Sequence, residues 1–352
     1  MSLPPPLGSA PENGGQVVLD VGLPREQRRE ALEGAASAGI DLGLAVTVVG
    51  PENEITTDLR DIAHDAEQLR VIDAPAPLSD NTAEICSKSS TYVAMALVRD
   101  DPNAAFVGAG SPAWVIRAAN DLLDAVPGLG RPALAAVYPT LQLRGVRDDP
   151  FALLLDVGAG SAHDPEELLA FALMGAMYAE RISENPSPRV ALLSNGPHLH
   201  NAPAHIRAAD ALLRERADGG RYSYIGTIRA DQVTLGDADV IVTDGFTGDV
   251  LIRTLEGVAA TAEQLLERAR SRFQWRIGMS ILGAGVTRLR ELANWENYGG
   301  APLLGYERTV ILTQSDAGRR AIVNAIRLAA KVRRLRIVDD IQRALLEAAP
   351  NA

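Results

Sequence analysis

The strongest constraint on this chain is a series of short segments that are apolar along their whole length. They are VVLDV (17–21), LAVTVV (44–49), LRVI (69–72), AAFVGA (104–109), ALLLDV (152–157), RVALLS (189–194), YSYIGT (222–227), DVIVTD (239–244) and TVILTQ (309–314). A strand without polar alternation must be covered on both faces, which is the situation of a parallel sheet held between helices. Helical patterns fall between them, near 25–39, 55–67, 82–99, 112–125, 165–182, 204–217, 248–293 and 317–348. Strand–helix alternation on this scale predicts an α/β fold of three αβα layers around a mostly parallel sheet. No strand runs into G-x-G-x-x-G and a helix, so the dinucleotide-binding fingerprint is absent.

Composition narrows the function classes. Of 352 residues, 47% are hydrophobic, enough for a globular core, and 45 acidic residues against 34 basic ones leave a net charge of −11. That balance argues against a nucleic-acid partner, which requires a basic face. The single cysteine, Cys86, excludes an intrachain disulfide and a cysteine-rich zinc site. No apolar run reaches the ~20 residues that span a bilayer. Residues 1–15, rich in Pro and Gly, lack the basic and apolar regions of a secretory signal, which makes a disordered lead and a cytoplasmic protein the expectation.

Four glycine-bearing turns follow apolar strands: Gly108-Ala109-Gly110-Ser111, Asp156-Val157-Gly158-Ala159-Gly160-Ser161, Ser194-Asn195-Gly196 and Asp244-Gly245-Phe246-Thr247-Gly248. Glycine lets backbone N–H groups approach an anion, and a following helix adds its positive N-terminal end. Either these turns line one anion-binding crevice at the carboxyl edge of the sheet, or they are ordinary turn chemistry. Asp20, Asp156 and Asp244 end apolar strands and are expected to cap neighbouring turns or to serve a ligand. His198, His200 and His205 lie close together, but no Cys or carboxylate stands beside them, and no metal site is predicted. Cys86 reads as a small buried apolar residue, and neither Ser111 nor Ser161 stands in a nucleophile motif.

The segment 268–293 concentrates arginines around Phe273, Trp275, Ile277, Met279 and Ile281, with Gly283-Ala284-Gly285 interrupting it. Two helices meeting at a basic, aromatic tip suit an anionic membrane surface or a carrier protein, with Phe273, Trp275, Arg276 and Met279 as the contact residues, or else a dimer interface or core packing.

Longer motifs then point to a family. Asp156-Val157-Gly158-Ala159, the run Val242–Val250 (VTDGFTGDV) with Thr254-Leu255-Glu256-Gly257 behind it, and Asn297–Gly305 (NYGGAPLLG) resemble the PlsX phosphate acyltransferases. So do Gly130–Ala135 (GRPALA), Pro139-Thr140 and Ala325-Ile326-Arg327, in the same order from about residue 16 to 345. Polar motifs depart from the pattern. The opening D-A-M-G-G-D is Asp20–Arg25 (DVGLPR) here, S-A-G-N-T-G-A is Gly108–Trp114 (GAGSPAW), and D-V-G-A-N ends in Gly160. The loop N-x-G-x-E-x-x-K-G is Ser194–Ala202 without its acids and lysine, E-x-R-D is Arg229–Gln232, and H-G-S-S is Gln314–Ala317.

The resemblance implies an isocitrate/isopropylmalate dehydrogenase-like fold in one domain over 16–352, with two interleaved subdomains as a variant. It also implies a helical-hairpin protrusion near 265–295, a homodimer and peripheral membrane attachment. The implied reaction is transfer of an acyl group from an acyl carrier protein thioester to inorganic phosphate, without cofactor. On this reading Asp244 is the catalytic carboxylate. Gly108, Gly110, Ser111, Asp156, Gly158, Gly160, Ser161, Asn195, Gly245, Thr247, Gly248, Gly299 and Gly300 bind substrate. Because the polar loops have changed, a catalytically degenerate relative that binds acyl carrier protein or a partner is the alternative.

Overall fold

The structure is a computed structural model, and it describes residues 16–75, 88–144, 149–196, 198–216, 221–270, 299–314 and 316–348. The apolar segments form strands: β1 Val17–Asp20, β2 Val46–Gly50, β3 Leu69–Asp73, β4 Ala105–Gly108, β6 Asp149–Leu155, β7 Arg189–Leu193, β8 Ser223–Ile228, β9 Val240–Val242 and β11 Thr309–Leu312. Two further strands are β5 Ala133–Arg144 and β10 Ala301–Leu304. The sequence patterns do not show these two, because Pro139 and Pro302 interrupt them and proline removes a ladder donor. The helices are α1 Arg25–Leu42, α2 Glu52–Leu59, α3 Ser90–Asp100, α4 Pro112–Leu122, α5 Pro165–Ile182, α6 Ala204–Arg216, α7 Ala230–Val233, α8 Gly245–Arg270, α9 Arg319–Arg334 and α10 Ile337–Ala348.

All eleven strands belong to one sheet in the order β3-β2-β1-β4-β11-β10-β5-β6-β9-β7-β8. Neighbours are parallel except at β11–β10, β10–β5 and β5–β6. Three successive reversals mean that β6, β9, β7 and β8 run opposite to β1, β4 and β11. The two parallel halves therefore deliver their carboxyl ends to opposite edges of the sheet.

One face is covered by α1, α2, α5, α6, α9 and α10, whose apolar residues join Val17, Leu19, Leu155 and Val242 in one core. The other face packs α3, α4, α7 and α8 against Val18, Phe106, Leu154 and Ile241. Alternate residues of each strand feed the two cores, which accounts for the apolar strand sequences. Helix starts follow local chemistry. Pro112 opens α4, and Asp164 caps α5 in a capping box, accepting from the Glu167 amide at 2.8 Å while Glu167 accepts from the Asp164 amide.

Several boundaries differ from expectation. The helix expected over 55–67 begins at Glu52 and ends at Leu59. The single helix expected over 317–348 divides at Leu335–Arg336, where Arg336 takes a positive φ of 53° and turns the chain. Residues 1–15, Cys86 and the tip residues Phe273, Trp275, Arg276 and Met279 lie outside the described residues.

Candidate active site

At the first edge, β1, β4 and β11 end side by side. Asp20 stands opposite Gly108 in the β1–β4 register, and Thr313 donates to the Gly108 carbonyl from its amide at 2.8 Å and from its hydroxyl at 3.2 Å. Asp20 is buried and accepts from the Gly22 amide and the Thr91 hydroxyl, so it closes its own turn. Burial raises its pKa above the ordinary aspartate value, against those hydrogen bonds. Beyond Gly108, Ser111 occupies the cap position of α4 without bonding the helix through its side chain. Among the described residues, the amides of Gly110 and Ser111 have no protein acceptor. A β-carbon on Gly110 would meet Leu23 Cδ2 at 3.9 Å and no other described atom within 4 Å. Gly299 and Gly300, with φ of 82° and 93°, lead into β10 at this same edge. A side chain on either would collide with the Asn324 or Leu312 carbonyl, so they serve close packing.

At the second edge, β6, β9 and β7 end. The Asp156 carboxylate, fully buried, gathers four backbone donors: Leu134 at 2.9 Å, Gly158 at 3.0 Å, Ala159 at 2.9 Å and Gly160 at 2.7 Å. His163 adds a fifth contact at 3.0 Å. The glycine amides expected to cradle an anion here are thus already spent on a side chain. The start of α8 rests directly on this turn. The Phe246 amide donates to the Ser161 carbonyl at 3.3 Å, and β-carbons on Gly245 and Gly248 would overlap the carbonyl oxygens of Gly160 and Asp156. Asp244 caps α8: its Oδ1 accepts from the Thr247 amide at 2.9 Å, and the Thr247 hydroxyl reaches both oxygens. The His205 Nε2 lies 3.9 Å from its Oδ2. Asn195 follows β7 at this edge and is exposed.

The four turns expected to share one crevice therefore divide. The 156–161 and 244–248 turns touch each other, with Asn195 on their side, while Gly108–Ser111 lies at the opposite edge. Opposite strand directions in the two halves are the cause. Helix α8 links the two edges. It starts on the Asp156 turn, and eleven residues later, ~16 Å along its axis, the Gln314 side chain donates to Glu256 at 2.7 Å. Sequence reasoning missed His163, whose signal was its spacing of one helical turn from Glu167. His198 and His200 stack at 5.5 Å, and the described residues contain no group of three ligands suited to a metal.

Comparison with known proteins bears on the whole arrangement. A family model described as a fatty acid synthesis protein matches residues 13–339. The phosphate acyltransferase of Anaeromyxobacter dehalogenans is 34% identical over 321 residues, 89% of this chain and 86% of the relative. That of Alkaliphilus oremlandii is 29% identical over 317 residues, 88% and 91% of the two chains. Among solved structures, a phosphotransacetylase from Streptococcus pyogenes superposes with a TM-score of 0.57 at 14% identity, over 90% of this chain and 93% of that one. EutD phosphotransacetylase from Staphylococcus aureus gives 0.56 at 16% identity, over 91% and 94%. These two likenesses concern the fold alone. With its motifs in order along the sequence, and a relative above 30% identity across more than four fifths of both sequences, the chain belongs to the fatty acid synthesis protein family, the PlsX phosphate acyltransferases.

Proposed function

We propose that the chain transfers an acyl group from an acyl carrier protein thioester to inorganic phosphate, releasing acyl phosphate and the carrier thiol. The observation that carries this reading is the pair of open amides at Gly110 and Ser111, at the start of α4 and the end of a buried strand. Two adjacent donors with a helix N-terminus behind them suit a phosphate dianion. Phosphate near neutral pH is its own nucleophile. One oxygen of hydrogen phosphate adds to the thioester carbonyl, the tetrahedral oxyanion collapses, the C–S bond breaks, and the sulfur leaves as thiolate, which takes up, through water, the proton that the acyl phosphate releases. The protein needs to place the two reactants and stabilise the oxyanion, without a covalent intermediate on the chain.

In this reading Gly108, Gly110 and Ser111 form the phosphate subsite. Asp244 orders the start of α8, in place of the direct catalytic role expected of it, because its oxygens are already engaged by Thr247. A homodimer and peripheral membrane contact through 265–295 complete the proposal. In the described residues no helix is long and apolar enough to cross a membrane. The test is mass spectrometry of acyl phosphate after mixing the protein with acyl carrier protein thioester and phosphate. Absence of product across acyl chain lengths, with carrier binding retained, would favour the second reading of a binding subunit. The consumed amides of the Asp156 turn are what lend that reading support.

A further inference from the structure

His163 is buried at the second edge with a carboxylate on each side. Its Nε2 lies 3.0 Å from Asp156 Oδ2 and its Nδ1 3.2 Å from Glu167 Oε2. Its ring lies nearly perpendicular to that of Phe171, at 78° with centroids 4.7 Å apart. A neutral imidazole has one donor and one lone pair, so it would set that lone pair against a carboxylate; only the imidazolium donates to both. The local charge count agrees. Asp156 and Glu167 carry two negative charges in a buried site, and Arg131, 3.3 Å from Glu167 Oε1, balances one of them. From α8, Asp249 approaches the turn beside Gly158 but is paired with Arg253 at 2.6 Å. Asp164, next to His163 in the chain, is engaged in capping α5. The second charge is left to His163. The turn also makes room for this ring: a β-carbon on Gly160 would stand 2.6 Å from His163 Cε1, at the position where the family pattern carries Asn.

We propose that His163 is a positioning residue that holds protons on both ring nitrogens at neutral pH, and that this imidazolium sets the Asp156 turn on which α8 is seated. The link to catalysis rests on the proposed acyl transfer; the protonation state does not. Burial works against the charged ring, and the hydrogen bonds and charges of Asp156 and Glu167 outweigh it, leaving the pKa of His163 above its ordinary value. For a base raised in the folded state, the stabilisation is complete below the unfolded value of about 6.5. It is lost as pH rises through the folded value. The seat of α8, and with it the alignment of the two edges, should therefore loosen on the alkaline side.

The test is a pH titration of the full-length chain, labelled in its imidazoles and followed by NMR. The chain has five histidines, so His163→Gln assigns the signal. The expected result is a ring protonated on both nitrogens at pH 7, with a midpoint above 6.5. Glu167→Gln keeps the capping hydrogen bond but removes a charge, and should lower that midpoint by about one pH unit or more. A ring with one proton at pH 7, or a midpoint that Glu167→Gln leaves in place, would overturn the proposal. Should His163→Gln fail to fold, the Glu167→Gln shift still decides it. In turnover, kcat should fall along the alkaline limb with the His163 midpoint, while the KM for phosphate, set at the other edge, stays within about twofold. If the protein makes no acyl phosphate at any pH, the proposed reaction fails while the titration still reads the charge of His163.

Discussion

Gly248 sits against Asp156 so closely that a β-carbon on the glycine would overlap the aspartate's carbonyl oxygen. The residue that follows β6 and the first turn of α8 are thereby locked backbone to backbone, ninety-two positions apart in the chain. This contact, with Gly245 on Gly160, fixes where the long helix begins and along which line it runs toward Gln314.

Gly248→Ala should accordingly cost about 3 kcal/mol or more, because the obstacle is backbone and cannot swing away. Gly257→Ala, farther along α8 with nothing within 4 Å of the added carbon, should instead stabilise by about 1 kcal/mol through helix propensity. Urea denaturation of the two variants beside the parent measures both. Equal effects would show that the close fit at Gly248 is not real.

Gly110→Ala separates binding from folding. The position has room for a methyl group, so stability should stay within about 0.5 kcal/mol of the parent. A phosphate approaching the Gly110 amide would meet that methyl. The KM for phosphate should therefore rise at least tenfold, about 1.4 kcal/mol, in steady-state assays at saturating acyl donor. An unchanged KM removes phosphate from this turn.

Asp244→Asn tests the capping assignment. Asparagine is itself a good cap, so the change should cost well under 1 kcal/mol, whereas Asp244→Ala should cost about 1 kcal/mol. Acyl phosphate formation by Asp244→Asn should stay within tenfold of the parent. A loss of a hundredfold or more with stability intact would return Asp244 to a direct role in the chemistry.

Asp20 makes a pH-dependent contribution of defined sign. Its pKa is raised in the folded state, so folding favours the protonated acid. Stability from this group is present below about pH 4 and declines as pH rises toward the folded value. Asp20→Asn should flatten that part of the profile when urea midpoints are compared from about pH 4 to 7. A profile identical to that of the parent would mean that Asp20 titrates as an ordinary carboxylate.

The layer architecture was legible in the amino-acid pattern, since runs such as those of β1, β7 and β9 can be satisfied only by burial on both faces of a sheet. So were the starts of α4 and α5, where Pro112 and the Asp164–Glu167 box act within a single turn of chain. Family membership was legible for a similar reason: the long motifs around Asp244 and Gly299 encode close backbone packing, which tolerates little change in residue size. The distribution of the site follows from strand direction across the folded sheet. The reversals across β10, β5 and β6 involve strands carrying Pro302 and Pro139, whose local preference gives no sign of a central place in the sheet. Those reversals send Gly108–Ser111 and Asp156–Ser161 to opposite edges. Whether an amide is free is equally a long-range fact: Gly158 to Gly160 look available until the Asp156 carboxylate folds back onto them, while the amides of Gly110 and Ser111 meet no acceptor among the described residues. His163 shows the same limit. Its spacing to Glu167 is local, but the second carboxylate that gives the ring its charge comes from the end of a strand, and a buried ion is defined by everything packed around it.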